Sequence, residues 1–440
     1  MLRRMIRRLK KDNDFYTLFS PNFYKLENDE KHYLFGKFNI LKQNGITVQD
    51  ISKASEDLDN LQADKIKEDL DIVIDYILKS QKKDGSWSVI TTDNLIQFDS
   101  IIYGNHFYKI KEYEEHINDN KISNAWTNSI LTLILNKWLT VLENLTIGPS
   151  EKIKEIEKSI LSSVNWLNKN RNISGDIYGF GPFLPNIDKN LINVYDTSFA
   201  YISQLYNNKN ADQLISRNEF RKIYKNLVSE KILNDEVGAW YKDNLSSNRV
   251  PDVGASSYAI SLFIKAAENG YEIDENLSAK SVGWISSQQN SDGGWAVKKG
   301  EKSATDITCL AIMALQKYVE YSGEYIRFDE VINSGVKFIE NSLEEFNCPG
   351  KDGGMLNLYC WPRDGLSVQE ICFKNSSLAI STLLKCDIPI FKGSIRRSVS
   401  SLIRIYKQNH EGNAIQPVAN IEEAYFICML ADYLKAWMDV

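Results

Sequence analysis

Residues 280–295 read KSVGWISSQQNSDGGW: a helix-period segment, then a glycine-centred turn that closes on tryptophan. The end of this stretch, QNSDGGW (289–295), is matched by QKKDGSW (81–87) under the common pattern Q-x-x-D-G-[SG]-W. Recurrence on this scale means that one supersecondary unit is used several times. Looser versions stand at NISGDIYGFGP (172–182), NDEVGAWYKD (234–243) and CPGKDGGMLNLYCW (348–361), with NHEGNAIQP (409–417) the faintest.

Each turn follows a segment with one apolar and one polar face, such as DLDIVIDYILKS, SILSSVNWLNK or SVSSLIRIYKQ. After each comes a loop and a more apolar helix, beginning near AWTNSILTLIL, YDTSFAYISQLY, GASSYAISLFIKA, TDITCLAIMALQKY, NSSLAISTLLK and NIEEAYFICMLADYL. A helix that is apolar almost all round has to be enclosed, whereas its amphipathic partner can face water. The expected fold is therefore all-α, an α/α toroid of about six helical hairpins over residues 65–440. Residues 1–64 are expected to be an N-terminal helical extension. The competing architecture is a linear solenoid, whose end repeats need polar caps that the sequence does not show.

The chain has 440 residues, 43% of them hydrophobic, and a net charge of −6, the profile of an ordinary globular protein with no overall affinity for nucleic acid. MLRRMIRRLKK at the start sets six basic residues around Leu2, Met5, Ile6 and Leu9, a short basic amphipathic helix suited to an anionic surface. Residues 1–11 are thus a candidate for peripheral membrane contact in a protein expected to be cytoplasmic. The alternative is docking on the protein's own acidic surface. The six cysteines, Cys309, Cys348, Cys360, Cys372, Cys386 and Cys428, form no CxxC pair and are expected to be reduced.

The repeat in KSVGWISSQQNSDGGW resembles the QW motif of squalene-hopene and oxidosqualene cyclases, within the terpene cyclase and protein prenyltransferase superfamily of α/α toroids. In such a motif the Gln amide is expected to bond backbone at the next helix start while the Trp ring covers the same helix end. The segment Ala304-Thr305-Asp306-Ile307-Thr308-Cys309 is similar to the acid motif of the protonation-initiated enzymes, closer to the oxidosqualene D-C-T-A form than to DxDDT. The resemblance makes Asp306 the proton donor, with Ala304 and Ile307 where flanking acids would stand. Asp196, in a segment resembling YDTAW, and Asp252 are reserve acids, and each acid is also placed to cap its helix.

Aromatic faces stabilise carbocations, so Trp126, Tyr195, Phe199, Tyr258, Trp361, Phe373 and Tyr425, with Thr308, are the expected cavity lining. If the substrate carries a diphosphate, Arg249, Lys298, Lys299, Lys302 and Arg363 are the candidate cations, with Mg²⁺ as counter-ion. No tightly bound cofactor is expected. The Asp-x-Cys and late His that hold zinc in prenyltransferase β subunits are missing, because Thr308 takes the Cys position and Cys309 lies about 100° round the helix. The resemblance implies a class II terpene cyclase acting on a linear isoprenoid or its diphosphate. A non-catalytic toroid that binds an isoprenoid or a protein is the alternative, and a prenyltransferase β-like subunit is third.

Overall fold

The computed structural model describes residues 63–88, 124–145, 150–174, 177–181, 192–206, 215–244, 249–349, 355–362, 373–390, 392–410, 418 and 421–438. The basic segment 1–11, nearly all of the expected extension 1–64, Arg363, Cys372 and most of the faint turn at 409–417 lie outside them.

Helices α1 (Ala63–Ser80), α3 (Glu151–Lys169), α5 (Arg217–Leu227), α7 (Glu275–Ser287), α9 (Tyr325–Asn341) and α11 (Gly393–His410) alternate with α2 (Ala125–Leu145), α4 (Val194–Gln204), α6 (Val253–Glu268), α8 (Thr305–Ser322), α10 (Phe373–Lys385) and α12 (Ile421–Met438). The even-numbered helices are the inner set. Each packs on the next, α2 on α4, α4 on α6, then α8, α10 and α12, and α12 returns to pack on α2. That last contact closes the ring and excludes the solenoid. The odd-numbered helices lie outside it, as their amphipathic pattern requires. Thus α5 buries Phe220, Ile223 and Leu227 along one stripe, whereas α6 buries twelve of its sixteen residues.

The turns explain why the chain folds this way. Gly85 and Gly293 adopt φ of +92° and +87°, and a Cβ at either would lie 2.2 or 2.6 Å from a backbone carbonyl oxygen of the next outer helix, Ser162 or Ser334. Only glycine fits both demands. Each turn then joins three helices. In the 289–295 turn the Trp295 backbone N–H donates to Thr308 Oγ1 on α8 (2.8 Å), and its indole Nε1 donates to the Ile285 carbonyl at the end of α7 (2.8 Å). Gln289 Nε2 donates to the Gly293 carbonyl (2.8 Å) and to the Val331 carbonyl on α9 (2.9 Å). Gln81 makes the same pair of bonds to Gly85 and Ser159. The Gln tether therefore runs to the next outer helix rather than to the next helix start, because the turn lies against the flank of that outer helix.

The looser motifs reuse the joint. Phe180, Trp240 and Trp361 donate their backbone N–H to Thr197, Ser256 and Ser376 at 2.9, 2.9 and 3.0 Å. Their longer loops pair internally as two-stranded antiparallel hairpins: β1 (Asn172–Ser174) with β2 (Ile177–Gly179), β3 (Leu233–Asn234) with β4 (Ala239–Trp240), and β5 (Glu344–Pro349) with β6 (Met355–Cys360). These ribbons satisfy backbone groups that a tight turn would not expose. Cys309, Cys360 and Cys428 are buried, and with Cys386 they are free thiols. Among the described residues no helix is long and apolar enough to cross a membrane.

Candidate active site

The inner helices all point their N-termini to the same end of the ring, α2 to α10 each tethered by the turn before it. Their second residues are Trp126, Tyr195, Gly254, Asp306, Lys374 and Glu422, in order round the opening. This register separates the three candidate acids. Asp252 is the N-cap of α6 and accepts from Ala255 N at 2.8 Å, the position that Asn193 fills on α4. Asp196 lies in the first turn of α4, behind its cap, and is buried. Asp306 is not the N-cap: that position on α8 is Ala304, which makes no side-chain cap bond.

Asp306 is 27% exposed, so it faces the opening; Oδ1 accepts from Ile307 N (2.8 Å) and Oδ2 pairs with Lys374 Nζ (3.5 Å). Lys374 was not expected from the sequence. A cation in the first turn of a helix opposes the macrodipole by about 0.3–1 kcal/mol, and acids on both neighbouring helices offset it. The Lys374 backbone N–H donates to Glu422 Oε2 at 2.7 Å, and its ammonium lies 6.0 Å above the Tyr425 ring. One half of the opening is therefore charged, in the order acid, base, acid.

The other half is aromatic. Trp126 and Phe199 rings lie 4.5 Å apart, Phe199 and Tyr258 6.0 Å, and Tyr195 and Tyr258 5.4 Å, a wall across α2, α4 and α6. Tyr195 Oη donates to Asp252 Oδ1 at 2.6 Å. It crosses directly over Gly254, where a Cβ would come within 2.2 Å of that oxygen. Burial pushes the Asp252 carboxyl up from its ordinary value, although the Tyr195 bond works the other way. Burial likewise raises the Tyr195 and Tyr258 phenols, and the Asp306 charge adds to both. Asp306 is thus within electrostatic reach of these two phenols. The Tyr258 and Tyr425 hydroxyls approach each other closely enough to perturb one another, short of a well-aligned hydrogen bond.

One and two turns on, the same helical faces carry Leu310, Ile202, Leu133 and Met313, apolar side chains in or against the core. Three expected lining residues belong elsewhere. Thr308 is fully buried and accepts the Trp295 N–H, and Trp361 is fully buried with its Nε1 on the Ile339 carbonyl (2.6 Å), so both hold turns. Phe373 packs on Phe426, whose ring also meets Tyr406 of the outer helix α11, and so it faces the outer layer. Lys298, Lys299 and Lys302 are exposed on the loop before α8, where Lys299 bonds the Ser287 carbonyl of α7; Arg249 lies 6.0 Å from the Tyr241 ring centre. Among the described residues no three His, Cys, Asp or Glu side chains form a group that would hold a metal.

Two solved structures share this architecture. A glycoside hydrolase family 76 mannosidase from Bacteroides thetaiotaomicron superposes with a TM-score of 0.56 at 7% identity, over 85% of this chain and 99% of its own. The fold is an α/α toroid. The type II terpene cyclase MstE from Scytonema matches with a TM-score of 0.51 at 9% identity, over 86% of this chain and 100% of its own. At such identities the likeness concerns the scaffold alone, since toroids host unrelated chemistries. No family model and no curated protein matches the sequence.

Proposed function

We propose that this toroid is a class II terpene cyclase, which folds a linear isoprenoid into its bore and starts ring closure by proton transfer from Asp306. The observation that carries the reading is Asp306 itself. It is the one of the three candidate acids that sits in the ring of second residues, partly exposed, beside Lys374 and within electrostatic reach of Tyr195.

Protonated Asp306 gives its proton to a substrate alkene, whose π electrons form the new C–H bond. The carboxylate left behind is stabilised by Lys374, and the carbocation formed is stabilised by the faces of Trp126, Phe199 and Tyr258. Attack by a second alkene closes a ring, loss of a proton ends the sequence, and Asp306 recovers its proton through its exposed edge. Asp252 acts through the wall, by fixing Tyr195. Mg²⁺ belongs to the substrate's head group if that is a diphosphate.

The test is incubation of the full chain with farnesyl, geranylgeranyl and longer diphosphates, squalene and oxidosqualene, with product analysis by gas chromatography and mass spectrometry. A cyclic product that falls by about 10²–10⁴ in Asp306→Asn supports the reading. A product indifferent to that substitution removes Asp306 from the chemistry. One observation favours a second reading: both Asp306 oxygens are already engaged as acceptors, as in a toroid that binds an isoprenoid without turning it over. Tight binding with no product from any substrate would establish it.

A further inference from the structure

A cavity of about 540 Å³ lies outside the ring of inner helices, in the cleft between the outer helices α5 and α7. Its walls are one face of α5, the loop from α6 into α7, and the start of the β3–β4 hairpin. Nothing in the chemistry of the bore uses it.

α5 reads RNEFRKIYKNL and buries Phe220, Ile223 and Leu227. Beside that stripe Arg217, Arg221, Tyr224 and Val228 follow one another at steps of four, three and four residues, so one continuous face lines the cavity for three turns, about 16 Å. The face opens with two like charges one turn apart, at the end of a helix where the macrodipole disfavours cations. No local acid offsets them. Glu219, the acid of the first turn, is paired with Arg171 instead. Arg217 and Arg221 are exposed, and neither makes an ion pair or side-chain hydrogen bond among the described residues.

The facing wall carries carboxylates in the same condition. Asp274 is occupied in capping α7, where it accepts from Asn276 N and Leu277 N at 2.9 and 3.1 Å. Asp235 and Glu272 are exposed, and among the described residues their carboxylates have no ion pair or hydrogen bond; Asp235 offers only its carbonyl, to Lys280. Opposite charges thus line one cavity without neutralising each other across it.

Between them the floor is apolar and fixed. The Phe220 ring lies 4.7 Å from that of Tyr271 and 6.3 Å from that of Tyr224. Tyr271 Oη donates to the Ile215 carbonyl at 2.5 Å, and Tyr224 Oη accepts from Asp274 N at 3.0 Å, so each ring is pinned to the wall opposite its own. A pre-formed apolar floor with a few free charged groups above it, within the ordinary volume of about 300–1,000 Å³, is the anatomy of a binding site.

We infer that this cleft binds the carboxyl end of a peptide, its terminal carboxylate on Arg217 and Arg221, its apolar side chains on the Phe220–Tyr224–Tyr271 floor, and a basic residue against Asp235 or Glu272. Guanidinium groups are matched to carboxylates by geometry as well as charge. A simple anion would meet the arginines but leave the floor unused and the facing carboxylates repelled. A ligand with both charges separated by apolar groups uses all three elements, and an extended chain covers the 16 Å face in about five residues. No residue of the bore's opening lines this cleft, so the inference is independent of the cyclase reading.

The experiment is calorimetric titration of the full chain with acetyl-Ala-Lys-Ala-Leu-Phe bearing a free carboxylate, with its carboxyl-terminal amide, with the same acid carrying Glu in place of Lys, and with inorganic phosphate. The free acid should bind about tenfold or more tightly than either the amide or the Glu peptide, the worth of one charge-assisted hydrogen bond. Arg217→Gln and Arg221→Gln should each bring the ratio of acid to amide affinity towards one without lowering the thermal midpoint, since both side chains are exposed and unpaired, whereas a misfolded variant would lose both. Asp235→Asn combined with Glu272→Gln should abolish the preference for Lys over Glu and keep that for acid over amide. Lys222→Ala, which faces Tyr178 rather than the cleft, should change nothing. No binding of the free acid at about 1 mM, equal affinity for acid and amide, or an undiminished ratio in both arginine variants would overturn the inference. Phosphate binding as tightly as the free acid would also do so, by making a free anion the ligand.

Discussion

Gly254→Ala is the substitution whose sign is most informative. Alanine in place of glycine within a helix normally stabilises by about 0.5–1 kcal/mol. Here the new Cβ would lie 2.2 Å from Tyr195 Oη, 3.0 Å from its Cζ and 3.1 Å from its Cε1, so the phenol has to leave Asp252. The bond given up measures 2.6 Å to a buried carboxyl, an interaction worth about 1.5–3 kcal/mol. The loss exceeds the gain, and the net expectation is destabilisation by about 1–2 kcal/mol. In a Tyr195→Phe background the bond is already absent and the hydroxyl oxygen gone, so the same alanine should be near neutral. The cycle of four proteins, measured as urea unfolding midpoints with their slopes, isolates the coupling. Stabilisation of the wild-type chain by Gly254→Ala would show that Tyr195 does not depend on that gap, and the account of the aromatic wall would fail with it.

Other consequences are simpler. Burial raises the Asp252 carboxyl in the folded state, so the native chain binds more protons than the unfolded one above the ordinary carboxylate value. This contribution is complete below that value and is lost as pH rises, so thermal melts of Asp252→Asn against wild type should shift in favour of the variant between about pH 4 and neutrality. Trp295→Phe leaves the Ile285 carbonyl without its indole partner and should cost about 1–3 kcal/mol by denaturant unfolding, whereas an unchanged midpoint would mean that water replaces the bond. The Asp306→Asn product assay described above completes the set.

The toroid was legible because its joints demand particular residues. A glycine at positive φ against a neighbouring carbonyl, followed by an indole that reaches back ten residues to the end of the preceding helix, leaves D-G-[SG]-W in the sequence wherever the turn is tight. The looser repeats hid their ribbons because short hairpins need no strong alternation. The site was read in part. Asp306 stood out through its motif, but Thr308, Trp361 and Phe373 have the same residue chemistry whether they face a bore or a joint, and only packing tells these apart. Lys374 and Glu422 carried a usable signal that went unread: they stand two residues before Ser376 and Ala424, as Asp306 stands before Thr308.

The contact between α12 and α2 gives the molecule the mechanics of a barrel hoop. Lys137 and Asp432 meet across 295 residues of chain, so the last inner helix made is the one that locks the first. A row of repeats can fray from either end, but a hoop has no end, and cutting it anywhere leaves two raw apolar flanks at once. Removing α12 would therefore not shorten this protein by one unit. It would uncover the sides of α2 and α10 together, and a chain truncated there should aggregate rather than persist as a five-hairpin arc.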